Sequence, residues 1–93
     1  MTETVVSING VLIRLTDEHN ELAGMRYEVL ETVTQPTQIF AGNRGELLAV
    51  RDSEPEKYLV VVYREGDNDG FIITAFLTRR IQALRRRTQL WPL

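Results

Sequence analysis

The sequence predicts an α+β fold: an N-terminal β-hairpin, one main helix packed on an antiparallel sheet of about four strands, and a short basic C-terminal helix. Three observations carry this. Asn9-Gly10 sits between two short β-branched runs in VVSINGVLIRL. Leu22, Met25, Val29, Leu30 and Val33 recur at spacings of three and four. After residue 37 come apolar runs separated only by short turn-forming stretches.

Asn-Gly between alternating apolar runs is a strong hairpin signal, and the expectation is a type I′ turn at Asn9-Gly10. Thr16 or Asp17 offers an N-cap for the main helix. Gly24 weakens that helix by about 1 kcal/mol relative to Ala, so a break or late start near it is expected. Pro36 ends the helix at or before Gln35, because the residue before a proline is pushed out of the α region. TQIFAGNRGELLAVRD reads as a short strand, a Gly-rich turn at 42–45 and a strand over 46–51. EPEK is a turn, KYLVVVYRE a strand, GDNDG a tight turn and FIITAFLT a further strand. The last three strands should form an antiparallel meander. RRIQALRRR is a basic helix or helical turn, and TQLWPL a tail.

Ninety-three residues make one domain, 1–93, with a single core and little room for deep pockets. Apolar residues at 43% and charged residues at 26% are ordinary globular values. The absence of cysteine excludes disulfides, thiolate nucleophiles and zinc ribbons, and a lone histidine argues against a metal site. No cofactor is expected. The longest apolar stretch, YLVVVY, falls far short of the roughly 20 residues that span a bilayer, and MTETVVSING has no basic, apolar leader. A cytoplasmic location without membrane contact is the expectation. The net charge is −2, but it is unevenly spread: Arg79, Arg80, Arg85, Arg86 and Arg87 crowd the C-terminal end, and Glu18, Glu21, Glu28 and Glu31 load the first helical region.

Few local motifs carry chemistry. GNRG lacks the lysine and following helix of a phosphate loop and reads as a turn. GDNDG resembles the start of a calcium loop without the rest of its ligands, which leaves a hairpin turn. RRIQALRRR can grip phosphate or be a solvated helix end, and Trp91 can plug the core or stack on a base. Metal-free RNA cleavage does fit the inventory: it needs a base for the 2′-hydroxyl, cations for the developing phosphorane charge and an acid for the leaving oxygen. His19 can serve as acid or base, Arg51 and Arg64 as phosphate clamps, and Thr74 and the Tyr63 hydroxyl can orient the phosphate.

Strand alternation decides which of these can meet. Leu59, Val61 and Tyr63 face one way, and Tyr58, Val60, Val62 and Arg64 the other. Phe71, Ile73, Ala75 and Leu77 oppose Ile72, Thr74, Phe76 and Thr78. Both faces of these strands are apolar enough to need cover, or to form a groove carrying a few polar groups. A cleavage site requires Arg51, Thr74 and His19 on one face, which the pairing register must supply.

LTDE followed by HNELAGM, then ETVTQPTQI, GELLAVR, KYLVVVYRE and GFIITAFLTRR, together resemble the phage and bacterial members of the barnase–EndoU–colicin–RelE superfamily of small nuclease-like domains. The likeness covers about residues 11–87 and lies in the order of blocks. It implies a helix on a four-stranded antiparallel sheet, metal-independent RNA cleavage, and a toxin-like or phage-derived role with a cognate inhibitor protein. It carries the histidine of a His-Pro-Glu motif onto His19 and the strand positions onto Arg51, Tyr63, Thr74 and Thr78. The sequence departs from the pattern where LTDE runs straight into His19-Asn20-Glu21: the proline is replaced, and about two helical turns are absent. The expectation is therefore an RNase-like domain with His19, Arg51, Thr74 and Tyr63 as catalytic residues and Arg64, Thr78, Arg79 and Arg80 on RNA. The alternative is a catalytically inactive interaction module with a shortened helix, a homodimer.

Overall fold

The computed structural model describes residues 3–15 and 23–93. The elements are β1 (Glu3–Val6), β2 (Leu12–Leu15), a 3-10 turn (Ala23–Met25), α1 (Arg26–Thr34), β3 (Gln38–Ala41), β4 (Leu47–Glu54), β5 (Lys57–Glu65), β6 (Asp69–Thr78), α2 (Ile81–Arg85) and β7 (Gln89–Trp91). The strands form one sheet in the order β1-β2-β6-β5-β4-β3-β7.

The expected sheet of about four antiparallel strands under one helix is corrected by this arrangement. The sheet has seven strands and is mixed, and its two short helices lie on opposite faces. Three features account for the difference. First, the N-terminal hairpin joins the meander at its far end: β2 runs parallel to β6, with Leu12 opposite Asp69, Ile13 opposite Gly70 and Arg14 opposite Phe71. Parallel strands need a long crossover, and everything from α1 to β5 supplies it. Second, the C-terminal TQLWPL does not end as a tail. It adds β7 to β3, with Ile39 opposite Trp91. Third, α2 carries the chain from β6 back across β5, β4 and β3 to reach that edge, and so covers part of the face that α1 leaves bare.

The hairpin turn also differs from the type I′ expectation. The Gly10 N–H donates to Ser7 O at 2.9 Å and the Ser7 N–H to Val11 O at 2.8 Å. Only Gly10 has positive φ, at 82°. The turn is therefore centred on Ile8-Asn9, with Gly10 taking the left-handed position that closes longer hairpin loops. Asn9 is left free to donate its side-chain amide to Glu65 Oε1 at 2.9 Å, and the Ser7 hydroxyl donates to the other Glu65 oxygen. This pins the hairpin tip to the end of β5.

The helix begins at Arg26, just past Gly24, and ends before Pro36. The Thr16 and Asp17 cap positions lie outside the described residues. One face of α1, Val29, Leu30 and Val33, is buried against Ala49, Leu59, Val61, Tyr63 and Ile72. On the other face Ile81 and Leu84 of α2 cover Phe40, Leu48, Val50 and Val60. Each of these two anchors contributes about 1.5–3 kcal/mol by burial. That is enough to hold a five-residue helix which could not form alone. Among the described residues no helix is long and apolar enough to cross a membrane.

Gly70 lies where β2, β5 and β6 come closest. A Cβ there would collide with the Arg64 carbonyl oxygen and approach Ile13 Cδ1 to 2.9 Å. Gly70→Ala is expected to cost at least about 2 kcal/mol in urea unfolding, through overpacking against rigid backbone. Gly24→Ala, with open space around it, should cost nothing. Equal stabilities for the two variants would contradict this account of the β2–β6 junction.

Candidate nucleic-acid interface

β6 is one residue longer than the strand it faces. Val62 pairs with Thr74 and Tyr63 with Ile72, so Ile73 has no partner and forms a bulge. A surplus residue reverses the alternation on its far side. Beyond the bulge Ala75 and Leu77 point to the α1 face, where they pack on its core. Before it, Gly70 and Ile72 point to that same face. Thr74, Phe76 and Thr78 therefore face α2, and so does Phe71, which pairs with Arg64 on β5 and Arg14 on β2. Strict alternation would have set Phe71 opposite Phe76.

The pairing register decides the fate of the predicted catalytic set. Arg51 pairs with Leu59 on the α1 face. Tyr63 is on that face too, fully buried. Thr74 is on the opposite face. A continuous sheet separates them, so Arg51, Tyr63 and Thr74 do not converge on one phosphate. His19 lies outside the described residues.

Arg51 is engaged in holding α1 to the sheet. Its Nη1 lies 2.9 Å from Glu31 Oε1 and donates to Gln35 O at 3.1 Å, at the C-terminal end of the helix. A cation there complements the helix dipole as well as the carboxylate. Tyr27 joins the cluster through Glu31: the hydrogen bond between them, with the Glu31 charge, raises the phenol's pKa. A small hollow lined by Glu28, Glu31, Arg51 and Asp52 opens beside the pair. It is dominated by carboxylates, which repel phosphate.

The Tyr63 hydroxyl is buried with no hydrogen-bond partner. Burial, with a smaller contribution from the Glu65 charge, pushes its pKa well above the usual phenol value. This ring is a core aromatic with an orphaned oxygen rather than a proton donor aimed at a substrate.

The residues expected on RNA are distributed differently. Arg64 and Thr78 share the α2-side face with Thr74. Arg64 Nη1 donates to Arg44 O at 3.1 Å, which leaves most of its fork unused. The Thr78 hydroxyl accepts the Arg80 N–H at 3.0 Å, and Arg79 and Arg80 are exposed at the end of the same strand. The ion pairs among the described residues engage Arg14, Arg26, Arg51 and Lys57. None engages Arg64, Arg79, Arg80, Arg85 or Arg86. Nearby Glu46 is held below the usual carboxylate range, first by the Arg44 N–H it accepts and also by the Arg64 and Arg44 charges.

α2 covers only the β3–β4–β5 half of this face. The β1–β2–β6 half is open: Val6 is 49% exposed, Leu12 50%, Phe71 44% and Phe76 40%. Sequence reasoning missed Phe71, Phe76 and Arg14 as surface groups of one site. The signal that unites them is the bulge, and period-two counting cannot see a surplus residue. No family model, curated protein or solved structure matches the chain. Among the described residues no group of three His, Cys, Asp or Glu side chains is placed to hold a metal ion.

The α1-side assignments make a paired expectation. Tyr63→Phe removes an unsatisfied buried oxygen and should raise stability by about 1 kcal/mol. It should also flatten the alkaline limb. The unfolded phenol ionises near pH 10 and the folded one does not, so wild-type stability is full below that pH and falls as pH rises past it. Arg51→Met should lower stability by about 1 kcal/mol, because it removes a half-exposed ion pair and a helix-end contact. Urea titrations from pH 7 to 11 check both. A loss of stability in Tyr63→Phe would show that the hydroxyl has a partner.

Proposed function

We propose that the chain is an RNA-binding module that uses the half-open face of its sheet and does not cleave what it binds. One observation carries the reading. Arg64, Thr74 and Thr78 share the α2-side face, with Arg64 beside the start of β6 and exposed Arg79 and Arg80 just past its end, while Arg51 and Tyr63 are committed to the core and clamp of the opposite face. Cleavage through the 2′-hydroxyl needs an acid, a base and a charge clamp around one phosphorus. Binding needs only cations within reach of the backbone and a surface to lie on.

The overall charge of −2 does not oppose this. Affinity for a polyanion depends on the local field, and the acidic residues Glu28, Glu31 and Asp52 cluster around the Arg51 hollow. The resemblance to nuclease-like domains is compatible with a chain that keeps the RNA-facing strands and lacks the helical segment before His19.

Fluorescence anisotropy with a labelled single-stranded RNA, over a series of salt concentrations, tests the proposal. If Arg64, Arg79 and Arg80 each neutralise one phosphate, log K should fall against log salt with a slope of about −2. Arg64→Ala should weaken binding and reduce the slope magnitude by about 0.7. The RNA should remain intact after prolonged incubation in EDTA. No binding at low salt would overturn the proposal, and 2′,3′-cyclic phosphate ends that require Arg51 and Thr74 would restore the nuclease reading.

A further inference from the structure

We infer that Phe71 and Phe76 are base-stacking positions, so that the ligand of the open face is single-stranded rather than duplex RNA. The inference rests on the RNA-binding reading and specifies what that face recognises.

Both rings lie on the open half of the α2-side face and are well exposed, although each belongs to an interior strand of the sheet, paired on both sides. Phenylalanines on a sheet face normally receive cover from a helix. Here α2 stops over β3, β4 and β5. The row through Phe71 runs Arg14, Phe71, Arg64 on three neighbouring strands. With strands about 4.8 Å apart, an arginine flanks the ring on each side. Arg14 is partly compensated by Asp69 at 3.4 Å, and Arg64 makes no ion pair among the described residues, although its charge acts on nearby Glu46. The next positions along the strand on this face are Thr74, Phe76 and Thr78, the last followed by Arg79 and Arg80. Along β6 the two rings alternate with threonine hydroxyls, and the cations stand beside Phe71 on the neighbouring strands and just past Thr78. A nucleic-acid strand offers base faces to such rings and phosphates to such cations.

The charge pattern argues against a second copy of this chain as the occupant. Two such faces brought together would oppose arginines to arginines. Duplex RNA is argued against by its stacking: its base faces are covered by neighbouring pairs, and it offers proteins mainly phosphates and 2′-hydroxyls. Five residues at about 3.3 Å each put the two rings roughly 15 Å apart, the bulge taking up part of the length. Stacked bases repeat at about 3.4 Å along one strand. The two rings cannot hold adjacent stacked bases, so the bound strand must be splayed, with intervening bases over Thr74. Ring stacking tolerates any base, so the expected recognition is of unpaired RNA with weak sequence preference.

Phe71→Leu and Phe76→Leu test this, because leucine keeps the apolar surface and removes the ring. Each should weaken binding of an unstructured oligouridine about fivefold or more, with the salt slope unchanged. The same oligonucleotide annealed to its complement should compete poorly. Thermal melting shows that each variant is folded. Ultraviolet cross-linking of the wild-type complex, with peptide mapping, gives a readout that needs no variant: adducts are expected in the β6 segment. Tight binding that is indifferent to both leucine variants, or equal competition by duplex, would overturn the stacking inference and leave an RNA surface that holds phosphates alone. No RNA binding at all, with concentration-dependent dimers in ultracentrifugation that the leucine variants abolish, would overturn the RNA reading itself and make a second copy the occupant.

Discussion

Ile73 is one residue more than the strand beside it can pair, and the character of both sheet faces follows from that surplus. If β6 alternated strictly, Phe71 would turn toward the α1 core, and Ile72 and Gly70 would exchange sides with their neighbours. Gly70 could not then admit Ile13 of β2, and the parallel β2–β6 junction would not close. The bulge instead keeps Gly70 and Ile72 on the α1 side before it and Ala75 and Leu77 on that side after it. The α1 face receives an unbroken apolar lining, and Phe71 joins Thr74, Phe76 and Thr78 on the other. Bulges re-aim side chains, and here one re-aims a ring.

The two faces then diverge because the two helices differ in reach. α1 has nine residues and a buried set, Val29, Leu30, Thr32 and Val33, broad enough to close its side of the sheet. Arg51 fastens its end by holding Glu31 and the Gln35 carbonyl. α2 has five residues and two anchors, and covers one half of the opposite side. What remains is an uncovered half-face with two rings and a cation beside each end. Arg51 and Tyr63 are spent on closing the first face, and Arg64, Thr74 and the two exposed rings are left on the second.

Much of this was legible in the sequence, for reasons that are local. The end of α1 follows from Pro36, its late start from Gly24, and the facing of β5 from simple alternation: Tyr63 with Leu59 and Val61, Arg64 with Val60 and Val62. The β3–β4–β5–β6 meander follows from turns too short for anything else. Long-range pairing was not legible. Nothing within LIRL announces a parallel partner more than fifty residues away, and nothing within TQLWPL announces an edge strand on β3. The bulge was hidden for a different reason. Phe71, Ile72, Ile73 and Thr74 are all acceptable strand residues, and only the identity of the residue facing each one exposes the surplus. The predicted convergence depended on register rather than on the bulge: Arg51 and Thr74 each carry the right chemistry, and the regular β4–β5–β6 pairing puts a sheet between them. Arg64, expected on RNA with Thr78, and Thr74, expected in the catalytic set, do share one face: Thr74 and Thr78 by their parity within β6, and Arg64 by its parity with Val60 and Val62 on β5.

The central claim is that one face of the sheet is closed for stability and the other is open for RNA. Amide chemical-shift mapping during titration with single-stranded RNA tests it most directly, because it reads both faces at once without any substitution. The account predicts that the largest shifts fall on Arg14, Arg64, Phe71, Thr74 and Phe76, with α1, Arg51 and Asp52 unmoved. Shifts concentrated on α1 and around Arg51 would contradict it and put the functional surface on the face assigned here to the core.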